Sequence, residues 1–308
     1  MTTANPNPLA DSSEQRFNPN LAGRYKLDQI FKIASWVATS VGLVVLAILI
    51  LDVLVDGLPR VSWDFISSFP SRRAENAGVL SPLAGSIWLL IITAVFAFPI
   101  GVGTGIFLEE FAEDTLLTRI IEVNIGNLAA VPSIIYGLLG LTVFVRILEP
   151  LTGGRSVLAG GLTLALLVLP TIIVATRESL RAVPSSLRLA GMALGSTRWQ
   201  VVREHVLAQA LPGILTGTIL ALSRAIGETA PLIVIGAQTF VAFTPSLSLE
   251  GFQSSFSALP IQIFNWVSRP QEAFHANAAG AIIVLMVVLL IMNAGAIFLR
   301  NKFQTTRA

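Results

Sequence analysis

Two charged side chains, Arg224 and Glu228, lie inside a long apolar stretch of the sequence, Val206–Leu249. A charge at the centre of a bilayer costs at least ~2.5–3.5 kcal/mol, so such groups persist there only when they pair or face water or protein. Because the two residues are four positions apart, one face of a helix would bring them together. Hydroxyl groups flank the pair at Ser223 and Thr229. These four residues are the strongest candidates for a polar site within a membrane.

This polar group has two interpretations. In the first, Arg224 and Glu228 form a structural ion pair that seals a helix contact or a gate. In the second, Arg224 lines a transport path and briefly binds an oxyanion, while Glu228 holds the guanidinium at other times. A guanidinium offers paired donors that match oxyanion geometry, and it keeps its proton. A neighbouring carboxylate repels a free anion, which suits a site that must release its substrate.

The composition of the chain indicates an integral membrane protein. It has 308 residues, of which 54% are hydrophobic and 12% charged, and its mean hydropathy is +0.76. Soluble domains carry about 25% charged residues. The chain has no cysteine, which excludes thiolate chemistry, and none of its three lysines lies in a nucleotide-binding P-loop. We therefore expect a protein that is not an enzyme and that binds no metal or cofactor of its own.

Charge-free stretches predict the membrane-spanning helices, since a bilayer core needs about 20 apolar residues in a helix. Five of these stretches are Ile33–Leu51, Val79–Leu108, Val123–Val145, Ser156–Thr176 and Ala276–Leu299. The stretch around Arg224 is too long for one span, and Pro231 and Pro245 offer breaks. We expect one full span there to about Gly236, followed by an outside or re-entrant segment. The prediction is an all-α integral membrane protein with six transmembrane helices.

Basic residues are unevenly divided between the two sides of these spans. With the N-terminus inside, thirteen of the 20 Lys and Arg lie inside and six outside, which predicts cytoplasmic N- and C-termini. The predicted organisation is a disordered cytoplasmic tail at 1–30, a first transmembrane helix with an extracytoplasmic loop at 31–78, a transmembrane core at 79–300, and a cytoplasmic tail at 301–308.

Three smaller groups of residues have structural interpretations. The spacing of Gly101 and Gly105 predicts close packing between helices. A solvated helix end is expected at the acidic cluster of Glu109, Glu110, Glu113 and Asp114. Interfacial anchors are expected at Trp63, Trp88 and Trp266.

The segment 184–204, which we call the elbow, interrupts the apolar pattern between the fourth and fifth spans. Pro184 predicts a helix start, Gly195 predicts a break, and a second short helix, Thr197–Glu204, leads into the fifth span. One interpretation is a basic amphipathic loop lying on anionic lipid. The other is a docking element for a soluble partner, in which the small residues Ala190 and Gly191 allow another surface to approach closely.

The elbow resembles a known family. Leu189, Ala190, Gly191 and Gly195, with Ala210–Gly213 downstream, are similar to the EAA loop of binding-protein-dependent ABC importer permeases. Two positions depart from that pattern: Leu189 replaces a usual Glu, and Ala208 replaces a common Pro. The resemblance implies that 184–204 is a coupling helix that seats in a groove of an ATP-binding subunit through these four residues.

Further motifs resemble a narrower group. Ala130–Gly140 is similar to the third-span signature of phosphate permeases, and Ser223–Leu232 is similar to their R-x-x-G-E-T signature. The Ala-Pro-Leu ending of that signature, together with Ala258–Ile263, resembles the PstA-type subunit. The resemblance covers about residues 80–300. It implies a type I ABC importer permease (MetI-like) fold in a bacterial inner membrane and a path for inorganic phosphate.

The same resemblance implies the partners. These are a PstC-type permease as the other half of a heterodimer, two PstB-type ATP-binding subunits and a PstS-type phosphate-binding protein, with no nucleic acid. ATP would bind and be hydrolysed on the partner subunit. The alternatives are a permease for another oxyanion such as molybdate or sulfate, the PstC-type sister subunit, a membrane enzyme acting on lipid, and a passive channel.

Overall fold

The computed structural model describes residues 21–246 and 248–305 of the chain. The predictions for residues 1–20 of the N-terminal tail and for 306–308 of the C-terminal tail lie outside these described residues. The described chain is helical, with no strand, which confirms the predicted all-α class. In chain order the α-helices are α1 (Leu21–Gly57), α2 (Trp63–Ser67), α3 (Leu80–Ile106), α4 (Leu116–Leu128), α5 (Ser133–Gly140), α6 (Glu149–Thr152), α7 (Val157–Arg181), α8 (Ser185–Ala193), α9 (Arg198–Val201), α10 (Leu207–Ile226), α11 (Ala230–Ile235), α12 (Leu249–Phe252), α13 (Leu259–Val267) and α14 (Glu272–Thr305).

Shorter helical turns join some of these helices. Three are π-helical, at Phe107–Phe111, Leu141–Ile147 and Val202–Val206, and two are 3-10 turns, at Leu58–Arg60 and Ala74–Asn76. The described residues contain five helices that are long and apolar enough to cross a membrane, or six if one bent pair counts as a single span.

The chain divides into two compact units, residues 1–52 and 53–308. The described part of the first unit is a stretch of α1 whose large apolar side chains are exposed. This helix begins at Leu21, so residues 21–30 are helical and were wrongly predicted as part of a disordered tail. The stretch contains no proline and is rich in residues with high helix propensity, which explains why the helix starts before the apolar run.

Helix α7 is the most buried helix of the second unit, and α3 packs along it. The two glycines on α3 allow this close approach. A Cβ atom added at Gly101 would lie 2.7 Å from Ile172 Cγ2, and one added at Gly105 would lie 2.7 Å from the side chain of Thr176. The predicted close packing of the Gly101 and Gly105 face is therefore confirmed.

The third predicted span, Val123–Val145, is not one helix. Helix α4 ends at Leu128, α5 begins at Ser133, and the axes of the two helical segments are bent by 107°. Proline cannot sit in a helix interior without losing a hydrogen bond, and it pushes the residue before it out of the helical region. Pro132 therefore ends the helix even though the apolar run continues.

The fifth predicted span ends ten residues earlier than expected. The helical stretch Arg198–Ile226 runs through the π-helical turn into α10 and stops at Ile226 rather than near Gly236. Glu228 and Thr229 form a non-helical link, and α11 follows with Pro231 in its first turn. Gly236 then ends α11 with a φ of +93°, which is a left-handed conformation that favours glycine.

The two broken regions pack against each other. Helices α5 and α11 are in contact, and a Cβ atom added at Gly137 would lie 2.7 Å from Pro231 Cα. Gly137 and Pro231 come from the two sequence stretches that resemble phosphate-permease signatures. The fold therefore brings these two motifs into direct contact.

A third cluster joins the segment after α1 to the last helices. Arg60 donates hydrogen bonds to the carbonyls of Ala74 (2.7 Å), Glu75 (2.8 Å) and Ala77 (3.1 Å) and contacts Asn277 of α14. Nearby, Trp266 is fully buried, so the prediction of an interfacial anchor at this residue is wrong. The centroid of its ring lies 6.0 Å from that of Phe65 and 6.5 Å from that of Phe274. Phe65 is far from the other two residues in the sequence, so the aromatic cluster arises only when the helices pack together.

We predict that Gly137→Ala destabilises the protein by about 1–3 kcal/mol, because the new Cβ atom would overlap a backbone atom of Pro231. Gly126→Ala is the matched control, since a Cβ atom there meets nothing within 4 Å. Thermal unfolding in detergent, followed by tryptophan fluorescence, would show a lower Tm for Gly137→Ala only. An unchanged Tm for that variant would mean that α5 and α11 do not pack this closely.

Candidate functional site

Arg224 and Glu228 form the predicted ion pair, but not on one helix face. Arg224 lies in the last turn of α10, and Glu228 lies two residues beyond the helix end, in the non-helical link before α11. The distance from Arg224 Nε to Glu228 Oε1 is 3.4 Å. The break at Gly227 therefore sets the geometry of the pair.

The two partners differ in exposure. The Arg224 side chain is 63% exposed, whereas that of Glu228 is 19% exposed. Within the described residues, Arg224 makes one long hydrogen bond out of the five that a guanidinium can donate. The partly buried carboxylate thus holds one edge of a guanidinium that still presents several donors to its surroundings.

A pocket beside Arg224 lies at the break between α4 and α5. It is lined by the end of α4 and the break that follows it, by α5, by α7 and by α10 itself. The lining residues besides Arg224 are Leu128, Ala129, Val131, Tyr136, Leu167, Val168, Thr171 and Ala221. The Tyr136 hydroxyl donates a hydrogen bond of 2.8 Å to the carbonyl of Leu128 and so satisfies a backbone acceptor at the broken helix end.

The predicted hydroxyl neighbours of the pair have different positions. Ser223 Oγ lies 2.7 Å from the carbonyl oxygen of Ile219 and 2.5 Å from Asn293 Oδ1, so it bonds toward α14 and not toward the pocket. Thr229 is partly buried at the start of α11, where its carbonyl accepts from Ile233 N–H at 3.1 Å. The structure therefore brings Arg224 and Glu228 together and directs Ser223 elsewhere.

Sequence reasoning missed two polar residues of this pocket, Tyr136 and Thr171. Tyr136 is one of only two tyrosines in the chain and lies inside a motif that was already singled out. Thr171 follows Pro170 in an apolar run, and nothing in the sequence marks it. The packing of α5 and α10 against α7, which is long-range information, is what places Tyr136 and Thr171 near Arg224.

The elbow has the predicted helix–glycine–helix form. Helix α8 begins after Pro184, Gly195 adopts a φ of +85°, and α9 begins at a capping box. In that box Thr197 N–H donates to Gln200 Oε1 at 2.8 Å, and Gln200 N–H donates to Thr197 Oγ1 at 3.4 Å. Helix α9 then continues into α10, so the elbow is continuous with the helix that carries Arg224.

The small residues of the elbow have separate roles. Gly191 is buried, and a Cβ atom there would lie 2.7 Å from Val201 Cγ2, so its close partner is the second half of the elbow itself. This corrects the interpretation of Gly191 as an outer surface. The outer face instead presents exposed Ala190 together with large apolar side chains, which are Leu189, Met192, Leu194 and Trp199.

The acidic cluster at the end of α3 is not simply a solvated helix end, as was predicted. Glu110 is only 4% exposed and pairs with Arg188 of the elbow. Glu109 pairs with two arginines of α7, while Glu113 and Asp114 are exposed as expected. The sequence did carry a signal for these ion pairs, because the acidic cluster and the arginines of 177–204 have complementary charges.

No group of three His, Asp or Glu side chains among residues 21–246 and 248–305 is arranged to hold a metal ion. The family described as "Binding-protein-dependent transport system inner membrane component" matches residues 97–302. The chain belongs to this family. The elbow, the helix breaks and the Arg224 site all lie within the matched region.

Curated relatives agree over most of the chain. The Probable ABC transporter permease protein YqgI of Bacillus subtilis is 33% identical over 79% of this chain and 85% of its own length. The Phosphate transport system permease protein PstA of Xylella fastidiosa is 31% identical over 81% of this chain and 85% of its own length. The Phosphate transport system permease protein PstA 1 of Mycobacterium tuberculosis H37Rv is 34% identical over 75% of this chain and 71% of its own length.

Solved structures show the same fold. A chain of a bacterial ABC transporter involved in the import of alginate aligns with a TM-score of 0.59 at 15% identity, over 92% of this chain and 98% of its own. A chain of the MetNI methionine ABC transporter aligns with a TM-score of 0.52 at 19% identity, over 71% of this chain and 94% of its own. The permease therefore has the predicted type I ABC importer fold.

The family also settles the general class of the protein. The permease is a multi-pass inner-membrane transport subunit and not an enzyme, and it works with ATP-binding and substrate-binding proteins. A lipid-modifying enzyme is excluded by this membership.

We predict that Gly195→Val opens the elbow to protease, whereas Gly195→Asn leaves it protected. A left-handed backbone costs a residue with a Cβ atom about 1–2 kcal/mol, and asparagine tolerates it best. Trypsin can cleave within the elbow after Arg188, Arg198 or Arg203. Cleavage of the purified permease should accelerate about 5- to 30-fold for the valine variant, as that energy implies. Equal cleavage of both variants would contradict a left-handed Gly195.

Proposed function

We propose that the permease is one half of the translocation path of an ATP-driven inorganic phosphate importer. The observation that carries this proposal is the Arg224 guanidinium, which is 63% exposed beside a pocket and is held on one side by the Glu228 carboxylate. Its position in a chain related to proteins named PstA supports phosphate as the substrate.

The chemistry of the pair fits transient binding. An oxyanion that reaches the pocket would compete with Glu228 for the guanidinium, whose remaining donors suit two parallel hydrogen bonds to adjacent oxygens. The 3.4 Å contact is long for a charge-assisted hydrogen bond, so the partner is easily exchanged. Glu228 repels the bound anion and favours its release, which a transporter needs more than tight storage.

The two helix breaks next to the pair also fit a transport path. Non-helical backbone at membrane depth is tolerated where it is buried in protein or lines a water-filled cavity. Here the breaks at Ala129–Pro132 and Gly227–Thr229 both lie near Arg224. Broken helices around a central site are a recurring arrangement in transporters. Thr229 lies in the second break, so it is the flanking hydroxyl that remains a candidate for the path.

The proposed partners complete what this chain lacks. A PstC-type permease would supply the other half of the path, two PstB-type subunits would bind and hydrolyse ATP, and a PstS-type protein would deliver phosphate. The permease itself would carry no cofactor. The exposed face of the elbow, with Leu189 and Ala190, would seat in a groove of the ATP-binding subunit, and Gly191 and Gly195 would maintain its shape.

The excess of basic residues orients the proposed complex. Both termini and the elbow lie on the cytoplasmic side in this proposal, where the ATP-binding subunits reside. The segment organised by Arg60 then lies on the opposite side, which is the side that a phosphate-binding protein reaches. Alternating access would follow as the elbow moves with the ATPase dimer.

Another oxyanion is the second candidate substrate. A guanidinium recognises paired oxygens and does not by itself distinguish phosphate from sulfate or molybdate. Competition between labelled phosphate and each of these anions in reconstituted vesicles would separate the candidates. We expect unlabelled phosphate to compete and sulfate and molybdate not to compete.

We predict that Arg224→Ala lowers ATP-dependent phosphate uptake by at least about tenfold in vesicles that contain the complete complex, because the variant loses charge-assisted hydrogen bonds to the oxyanion that contribute about 1.5–3 kcal/mol each. Arg224→Lys should retain partial uptake, since it keeps the charge but not the paired donors. Arg146→Ala, an exposed arginine outside the pocket, is the matched control. Uptake by Arg224→Ala at the wild-type rate would exclude the path role.

The assembly itself is tested by purifying the tagged permease in mild detergent. Co-purification of an ATP-binding subunit and a second permease, followed by uptake that requires ATP, is the expected result. Flux of phosphate in the absence of any ATP-binding subunit would instead indicate a passive channel.

A further inference from the structure

A second charged cluster lies away from Arg224, and the proposed transport path makes no use of it. It joins four elements of the second unit: the end of α3, α4, the end of α7, and the elbow. Its members are Glu109, Glu110, Glu122, Arg177, Arg181 and Arg188.

Glu110 and Arg188 form the centre of this cluster. Arg188 Nε lies 3.2 Å from both carboxylate oxygens of Glu110, and Nη2 contacts Oε1 as well. The Glu110 side chain is 5% exposed and that of Arg188 is 22% exposed. The hydrogen bond to Glu110 raises the pKa of Arg188, so the guanidinium stays charged. A carboxylate this buried depends on its partner, since an unpaired buried charge is strongly disfavoured.

Arg188 also bonds to the end of α7. Its Nη1 donates to the carbonyl of Val183 at 2.8 Å, and its Nη2 donates to the carbonyl of Leu180 at 2.9 Å. These acceptors belong to the last turn of α7 and to the linker that follows it, where helix carbonyls lack partners within the helix. One side chain of the elbow therefore holds the ends of two long helices.

The remaining ion pairs extend this connection. Arg177 donates to Glu109 at 3.2 Å and to Glu122 of α4 at 2.6 Å, and Arg181 donates to Glu109 at 2.9 Å. Arg177 is itself buried. The π-helical turn after α3, the middle of α4 and the end of α7 are thus bonded to one another, and the elbow is bonded to them through Arg188.

We propose that Glu110 and Arg188 are positioning residues that make α3 and α7 move with the elbow, an inference that rests on the proposed function. Leu189 is 64% exposed on the outer face of the elbow. Arg188, the residue before it, forms the ion pair that joins the elbow to Glu110. When an ATP-binding subunit displaces the elbow, the pair carries the displacement to two helices in addition to α10, which is continuous with the elbow.

The test compares phosphate import with ATP hydrolysis in the reconstituted complex with its ATP-binding and phosphate-binding subunits. For Glu110→Gln we expect the ATPase rate to stay within twofold of wild type, while phosphate imported per ATP falls about tenfold. Glu113→Gln, an exposed residue three positions further along, is the matched control and should leave the ratio unchanged. A wild-type ratio for Glu110→Gln, or an equal fall of import and hydrolysis, would overturn the proposal.

A second variant covers a failure of Glu110→Gln to fold. Arg188→Lys keeps the charge beside Glu110 but cannot form the two-pronged bond, and we expect the same fall in the ratio. Since the chain has no cysteine of its own, labels can also be placed at Phe107→Cys and Leu194→Cys, both of which are exposed, before the complex is assembled from unlabelled partners.

These two labels measure the coupling without any substrate. If α3 moves with the elbow, the distance between the two labels should be the same with and without ATP in the otherwise wild-type complex. In Glu110→Gln, where the elbow can move alone, that distance should change when ATP binds. A nucleotide-dependent distance before that substitution, or a constant one after it, would overturn the inference. A complex that shows this behaviour but imports no phosphate would instead count against the proposed substrate alone.

Discussion

The cost of placing charge and unpaired backbone in an apolar environment is the constraint on which this permease depends. A long apolar chain meets it by remaining helical and neutral over most of its length, so each exception is informative. Three of these exceptions lie beside one another: the break after Leu128, the break after Ile226, and the pair of Arg224 with Glu228. Each is satisfied locally, the first break by the Tyr136 hydroxyl bonded to the Leu128 carbonyl and the charges of the pair by each other.

Close packing is what allows these exceptions to lie together. Gly137 brings α5 against the start of α11, and Gly101 and Gly105 bring α3 against α7. Without a hydrophobic force between helices in lipid, small residues at contacts are a main source of association. Gly137 therefore holds the two broken segments together beside one guanidinium, and the two signature motifs of the sequence meet in a direct contact.

Sequence patterns predicted the features whose signals are local. Pro184, Gly195 and the Thr197–Gln200 box lie within 17 residues of one another, and each acts on its own stretch of backbone. The bend at Pro132 had a local signal as well, but an unbroken apolar run outweighed it. Glu110 was misjudged because its partner Arg188 lies 78 residues away, and burial of a carboxylate is a property of the assembled helices. The direction of Ser223 toward Asn293 of α14 was hidden for the same reason.

Continuity between the elbow and the core gives a physical route from one end of the permease to the other. The helical stretch Arg198–Ile226 has 29 residues, so at ~1.5 Å per residue it extends about 44 Å from the elbow to the turn that holds Arg224. A helix of this length transmits a displacement at one end to the other, unless it bends. The π-helical turn Val202–Val206 at the elbow end and Pro212 at the midpoint are the two places where it can bend. The half of the stretch nearest Arg224 is regular, and Arg224 and Ser223 lie in its last turn. Rotation of that half would therefore move the guanidinium, which lies in its last turn, whereas Glu228 lies in the non-helical link beyond it.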